Sequence, residues 1–305
     1  MRRVVAIAVL VLALGGLGWL AVAAIGGGSD EPAAAPSTIS STLDYRTVTT
    51  TNTSGEAITT VIAMPKPLHV IFPEGFTREQ MAERVGAVAE IARRKRHVRP
   101  KLNSGGYLAA TSRARRPACF RAGARGIEGF LFPATYEFFP QTTSRQLVAD
   151  QLEAFCDSWG RVDLASARRK NLTPYDVLII ASMVEKETLS PDERQLVSAV
   201  IYNRLQAGMP LGIDATLRYG LEIPPTESIR QSQLESDSPY NTRKRTGLPP
   251  TPIANPGLAS MQAAAHPASA DYLYFVRKPD KKHHFFTASY QEFQNYANTH
   301  GYGGP

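Results

Sequence analysis

The chain has 305 residues, enough for a membrane segment plus one large or two modest domains. A hydrophobic fraction of 43% and a charged fraction of 20% exclude wholesale disorder. The formal charge of +7 is concentrated in one place, because residues 93–125 hold eleven Lys/Arg and no Asp/Glu and the remaining chain is net acidic.

At the start, "MRR" precedes an uncharged run of 22 residues from Val4 to Ile25. At about 1.5 Å of rise per residue such a run spans a hydrocarbon core of roughly 30 Å. Arg2 and Arg3 place residues 1–3 in the cytoplasm by the positive-inside rule, so 4–25 reads as a single-pass anchor with the rest of the chain outside. A cleaved signal peptide is the alternative, since Ala21-Val22-Ala23 resembles a cleavage site, although the run is longer than the usual signal core. Either reading exports the body. Export leaves Cys119 and Cys156 two fates, a disulfide or a pair of buried thiols, and two cysteines are too few for a Cys-ligated zinc site. The basic segment suits an anionic partner, phospholipid head groups or an acidic wall polymer in preference to nucleic acid, or is simply a solvated face.

Residues 26–44 are a Gly/Ala/Pro/Ser/Thr linker. The β-branched runs "YRTVTTT" and "AITTVIAM", separated by "NTSGE", predict a hairpin. A third run, "LHVIF", leads to a helix that Thr77 caps and Glu79 favours at its positive end. Together with the basic segment this makes a small α+β module over 45–126. From Ile127 the aromatic-dense "IEGFLFPATYEFFP" is either core or a sugar-stacking wall, and Pro133 interrupts any regular element through it. The stretch "TSRQLVADQLEAFCDSW" predicts an amphipathic helix with Leu147, Val148, Leu152 and Phe155 on one stripe.

Thr173, Pro174 and Asp176 start a further helix, and Ser190, Pro191 and Glu193 repeat the signal for a partner helix running to Ala207 and closed by Gly208. The elbow of this helical hairpin reads "EKETL". At 100° per residue Glu187 continues the apolar stripe of Ile180, Met183 and Val184, whereas Glu185 lies beside Ala181. A carboxylate on an apolar face at a negative helix end is pushed toward its protonated form, the state a general acid needs at neutral pH. A structural ion pair with Lys186 or a nearby arginine is the competing reading.

The segments "EGFLFPATYEF", "ASMVEKET", "VIYNRLQAGMPLGIDATLRYG", "SPYNT", "TGLPPTPIANPG", "AAAHPA" and "YLYFV" follow in order. In that order they resemble the membrane-anchored endolytic murein transglycosylases of the MltG (YceG-like) family over roughly residues 68–298. The resemblance implies that Glu187, immediately before Thr188, is the catalytic acid/base. It also implies cleavage of the β-1,4 bond from N-acetylmuramic acid to N-acetylglucosamine in nascent strands, leaving 1,6-anhydromuramyl ends and ending elongation. Two motifs depart from the family pattern: Asp214-Ala215-Thr216 stands for Asp-Pro-Thr, and Tyr240-Asn241-Thr242-Arg243 for Tyr-Asn-Thr-Tyr. The upstream LysM-like module looks shortened or replaced by the Thr-rich hairpin.

The expected fold class is therefore α+β: a transmembrane helix, a small α+β module that is a LysM-like remnant, and a mixed α+β catalytic domain over 127–300 with the helical hairpin carrying Glu187. The catalytic helices are expected to pack on a small sheet that includes "YLYFV". Tyr240 and Asn241 are candidates to bond sugar hydroxyl or acetamido groups, Asn203 to orient Glu187, and Asp214 to stabilise positive charge at C1 or to form a turn. Glu128, Glu185, Thr216 and His266 are further candidates, with a structural role the simpler reading of His266. Six scattered histidines make no spaced metal motif, and no cofactor is called for. Expected partners are peptidoglycan strands, the membrane through the N-terminal helix, and peptidoglycan synthases, with no nucleic acid. The competing functions are a hydrolytic muramidase using Glu187 with Asp214, and a non-catalytic wall-binding scaffold.

Overall fold

Three threonines start the long helices. In a computed structural model of the chain, which describes residues 13–14, 17–18, 43–51, 55, 57–120 and 126–301, Thr77, Thr143 and Thr173 each accept a hydrogen bond from the backbone N–H three residues on. Gln80, Gln146 and Asp176 bond back to the cap N–H groups, so each start is a reciprocal capping box.

In chain order, β1 (Ala13–Leu14) and β2 (Leu17–Gly18) pair as a minimal antiparallel bridge. The remainder of the predicted anchor and most of the linker lie outside the described residues, among which no helix is long and apolar enough to cross a membrane. Strands β3 (Leu43–Thr51) and β4 (Ala57–Pro65) form the expected Thr-rich hairpin, in register from Leu43↔Pro65 to Thr51↔Ala57. Next come β5 (Leu68–Ile71), α1 (Arg78–Arg96), α2 (Ser104–Arg113), β6 (Thr135–Phe138) and α3 (Ser144–Trp159). Helices α4 (Ala165–Arg169) and α5 (Pro174–Glu187) lead through a 3-10 turn, Pro191–Glu193, into α6 (Arg194–Gln206). Then follow α7 (Asp214–Gly220), α8 (Gln231–Leu234), α9 (Leu258–Ala265), β7 (Tyr274–Arg277), β8 (His284–Thr287) and α10 (Tyr290–Thr299).

The strands make separate two-stranded antiparallel pairs and not the single small sheet expected beneath the catalytic helices. The β7–β8 pair still lies beside α6, with the Arg204 guanidinium 5.2 Å from the Tyr274 ring centre. Strand β5, from the segment read as an upstream module, pairs with β6, and one apolar core runs from Leu68 through Ala265. The aromatics after Ile127 belong to that core. Phe130 and Phe155 are fully buried and pack edge-to-face at 5.0 Å among Phe120, Trp159 and Tyr175. Each such ring contributes roughly 2–3 kcal/mol by burial alone. Cys119 and Cys156 form a disulfide with Cα atoms 5.6 Å apart, joining the basic segment to α3 beside this cluster.

Helix α5 is buried on all sides, since every residue from Val177 to Val184 is buried. It packs against α9 and α6, and the Ser182 hydroxyl donates to the Ile179 carbonyl while accepting the Ile253 N–H at 3.0 Å. Only its two ends emerge from the core, Pro174 and Asp176 at the start and the C-terminal turn with its clustered charges at the other.

Candidate active site

The chain leaves the helix at Thr188, whose backbone is extended, and Ser190-Pro191 then prevents continuation. Glu187 is thereby held as the last residue of α5, on a support that packing fixes throughout its length. Its neighbour Lys186 turns away and donates to the Gly75 carbonyl at 3.3 Å, so the ion pair between Lys186 and Glu187 is not made. The backbone N–H of Ala215, in the first turn of α7, lies close enough to the Glu187 carboxyl to favour its charged form. Burial, followed by the adjacent Asp214 charge, pushes the Glu187 carboxyl up to about 7; Arg277, the Ala215 N–H and Lys186 act in the opposite direction. Part of the residue's surface stays accessible even though protein crowds the carboxyl itself. A proton can thus be held at neutral pH on a group that a ligand can still reach.

Asp214 carries its charge into a contact with Arg243, which donates to Oδ1 from Nε at 2.7 Å and from Nη2 at 2.6 Å. Arg243 occupies the position at which the chain departs from the Tyr-Asn-Thr-Tyr pattern. Glu185, on another side of α5, accepts the Gly257 N–H at 2.9 Å and so fixes α5 to the start of α9.

The remaining predicted residues divide by direction. Asn203 does not orient Glu187: its Nδ2 donates to the Ala270 and Tyr272 carbonyls, both at 2.9 Å, and fastens α6 to the strand leading into β7. Asn241 is fully buried and gives its amide to the Leu234 and Ser236 carbonyls. Thr216 is equally buried, donating to the Ile213 carbonyl and lying 2.9 Å from the Thr242 hydroxyl. Neither side chain faces a surface that a sugar could reach; both hold the loop that presents Asp214 and Arg243. His266 sits 3.5 Å from Asp163, outside this constellation. The buried His284 lies 2.7 Å from Glu193, tying β8 to the elbow after α5.

Tyr240 and Glu128 belong to a second locus. The Glu128 carboxylate accepts the Arg78 N–H at 3.1 and 3.2 Å, the Asn255 amide at 2.6 Å and the Tyr219 hydroxyl at 3.2 Å. Burial raises this carboxyl to about 7 as well. The Tyr219 and Tyr240 rings meet edge-on at 5.3 Å, and the Tyr240 hydroxyl lies 2.8 Å from that of Thr251. Gly220 permits this approach, since a Cβ there would sit 2.5 Å from the Tyr240 Cβ. These residues line a cavity of about 880 Å³. A smaller one of about 530 Å³ lies by Lys170 and Asn203, and Glu187 lines neither. Helix α7 joins the two carboxyl loci: Ala215 touches Glu187 and Tyr219, one turn on, touches Glu128.

Asn255 was not singled out in the sequence, although it lies within "TPIANPG". Its Oδ1 accepts the Gly129 and Leu131 N–H groups at 2.9 Å, and its Nδ2 also reaches the Phe76 carbonyl at 2.9 Å. Arg277, at the end of β7, was likewise missed; its position in "YLYFVRK" gives no hint of its distance from Glu187.

The model of the YceG-like family matches residues 44–299. The chain belongs to the YceG-like family. Among curated relatives, it is 38% identical over 152 residues to the endolytic murein transglycosylase of Bacillus subtilis strain 168, covering 50% of this chain and 42% of that protein. It is 33% identical over 224 residues to the enzyme of the same name from Streptococcus pneumoniae R6, covering 67% of this chain and 39% of that protein. The chain thus spans about two fifths of the length of the curated relatives it matches. Among solved structures, a yceG-like protein of Listeria monocytogenes, lmo1499, aligns with a TM-score of 0.63 at 26% identity, over 79% of this chain and 84% of that one. The mixed α+β architecture is therefore that of the YceG-like family.

Proposed function

We propose that the protein is an endolytic peptidoglycan lytic transglycosylase. It cuts the β-1,4 bond from N-acetylmuramic acid to N-acetylglucosamine in nascent glycan strands, leaves 1,6-anhydromuramyl ends, and so terminates elongation. The observation that carries this reading is the Glu187 carboxyl, raised to about 7 at the rigid end of α5 in a chain of the YceG-like family.

Glu187 is the single acid and base. Protonated, it gives its proton to the bridging oxygen as the C1–O bond breaks and the N-acetylglucosamine hydroxyl departs. The carboxylate then removes the proton from the C6 hydroxyl, whose oxygen bonds to C1, and the enzyme returns to its starting state. No water is consumed. The tethered C6 hydroxyl has the advantage of high effective concentration over solvent. In this reading Asp214, held at Oδ1 by Arg243, offsets the positive charge that develops at C1 without moving a proton.

Mass spectrometry of peptidoglycan digested by the protein tests the assignment. Fragments lighter by one water than muramidase products and resistant to borohydride at the new end are expected. Uptake of oxygen from labelled water would replace this reading with a muramidase using Asp214, and inertness on intact strands would leave the wall-binding scaffold.

We further read residues 4–25 as a single-pass anchor that holds the body outside the cytoplasm, beside the peptidoglycan synthases that extend the strands. Support comes from the 22 uncharged residues after Arg2 and Arg3 and from the Cys119–Cys156 disulfide, a bond favoured in oxidising compartments. Protease added to osmotically opened but unlysed cells should degrade the body; full protection would reverse the orientation.

A further inference from the structure

We propose that the cavity beside Glu128 is a subsite for a carboxylate of the stem peptide carried by the glycan strand. The proposal rests on the transglycosylase reading for its substrate, and on the following geometry for its place and chemistry.

The lining of the cavity includes Arg115 and Arg116, the acids Glu79 and Glu128, and the rings of Tyr219 and Tyr240. Both arginines are exposed, and neither meets an acid among the described residues. Nor does the adjoining sequence offer one, since residues 93–125 contain no Asp or Glu. Arg78, the third arginine on the lining, is already taken by Glu79 at 2.6 Å and by Ser112. Among the described lining residues, the guanidinium groups without an acid partner are therefore those of Arg115 and Arg116.

They do not ride on a loose tail. Thr111 before them and Pro117 after them are buried, Cys119 is covalently bound to Cys156, and Phe120 is locked in the aromatic cluster. Two guanidinium forks carried by an anchored backbone at a cavity rim suit a planar carboxylate, which accepts two N–H bonds at once. The lining also supplies two phenol rings for the apolar stem of an amino acid; the oxygens of Glu128 are already occupied by donors from Arg78, Asn255 and Tyr219, and Glu79 is paired with Arg78. Helix α7 sets the spacing: four residues, about 6 Å of helix axis, separate Ala215 at Glu187 from Tyr219 at the cavity. A substituent of the same strand whose glycosidic bond lies at Glu187 is thus the ligand within reach, in preference to the phosphate of a lipid carrier.

The test uses the full chain in detergent with two substrates: glycan strands bearing native stem peptides, and the same strands after carbodiimide and ammonia have turned the peptide carboxylates into amides. Wild-type protein should show the lower KM on native strands. The variant carrying Arg115→Ala and Arg116→Ala should raise KM on native strands by about five-fold or more. On amidated strands it should match wild type, and the pair of lysine replacements should recover part of the loss. Equal loss on both substrates, or none on either, overturns the proposal. So does competition by inorganic pyrophosphate with no preference between native and amidated strands, which assigns the cavity to a phosphate. If wild type forms no anhydro ends on either substrate, the transglycosylase reading fails by itself. Calorimetric titration with a muramyl tripeptide, native against amidated, then still decides the cavity, with tighter binding of the native form supporting it and equal binding refuting it.

Discussion

Arg243 donates twice to Oδ1 of Asp214, from Nε at 2.7 Å and Nη2 at 2.6 Å, one residue before the backbone N–H that lies close to Glu187. The two carboxyl groups at the site therefore have unequal partners. Asp214 has a guanidinium counter-charge, while Glu187 has burial, a neighbouring negative charge, one N–H and a more distant Arg277. Of these surroundings it is burial first, then the adjacent Asp214 charge, that raises the Glu187 carboxyl.

The pH profile should respond to each of these charges with a definite sign. Glu187 must be protonated to start the reaction, so activity falls as pH rises through about 7. Arg277→Gln removes a charge that favours the carboxylate and should move the alkaline limb of kcat/KM upward, by roughly half a unit to one unit. Asp214→Asn removes a charge that opposes the carboxylate and should move it downward. Arg243→Gln leaves Asp214 uncompensated and should again move it upward. Profiles of the three variants that shift the same way, or not at all, would refute this electrostatic arrangement.

Replacing Glu187 by Gln should abolish formation of anhydro ends, at least about 10²-fold, because an amide of the same shape cannot cycle a proton. The fold should gain stability in alkaline solution. A carboxyl raised from 4.5 to about 7 contributes stability that is full below pH 4.5 and is lost as pH rises through 7. At pH 8 the neutral amide avoids a cost of roughly 1–3 kcal/mol. Glu185→Gln should show the opposite pattern, keeping most activity while losing about 1 kcal/mol from the weakened bond to Gly257. Thermal melts at pH 5.5 and 8 beside product counts separate the two variants; similar activity losses would sink the assignment of Glu187.

Cys119→Ser with Cys156→Ser opens a loop of sequence separation 37. The loss should be about 3–4 kcal/mol from unfolded-chain entropy. The same variant frees Arg115 and Arg116 from one of their anchors. Urea unfolding of oxidised, reduced and doubly substituted protein gives the comparison, and a midpoint unchanged by reduction would show that the aromatic cluster suffices without the bond.

Asn255→Ala should be among the most damaging single changes outside the acid itself. It strands the buried Gly129 and Leu131 N–H groups and removes one of two donors from each of the Phe76 carbonyl and Glu128 Oε1, which keep the residue-255 and Arg78 backbone N–H groups. At about 1–3 kcal/mol for each of the two unsatisfied buried groups, a total of roughly 2–4 kcal/mol is expected after relaxation and water entry. Chemical denaturation measures it; a loss under about 1 kcal/mol would mean that water replaces the amide.

Much of this was legible in the sequence where the cause is local. Thr77 and Thr173 sit three residues before their reciprocal partners, so the helix starts could be read from spacing alone. Glu187 could be selected by projecting a regular helix, and the Thr-rich hairpin by alternation around a turn. The misplaced assignments share a different property. Asn203, Thr216 and Asn241 have the chemistry of sugar-binding residues, yet their partners are main-chain carbonyls, and residue type does not say which way an amide turns. Arg277 and Asn255 act across long sequence separations, which no periodicity encodes.

The Asn255 contact with Phe76 spans 179 residues, and that with Gly129 spans 126. A ribosome releases the chain from one end. For most of synthesis, therefore, Phe76 and the Glu128 loop are present without the amide that joins them, although α1, α2, β5 and β6 can already pack on one another. Nucleation must come from short-range pieces such as the capped helices, with closure of the long loops afterwards. The Glu128 locus thus cannot reach its final form until residue 255 has been made, so it completes late in folding.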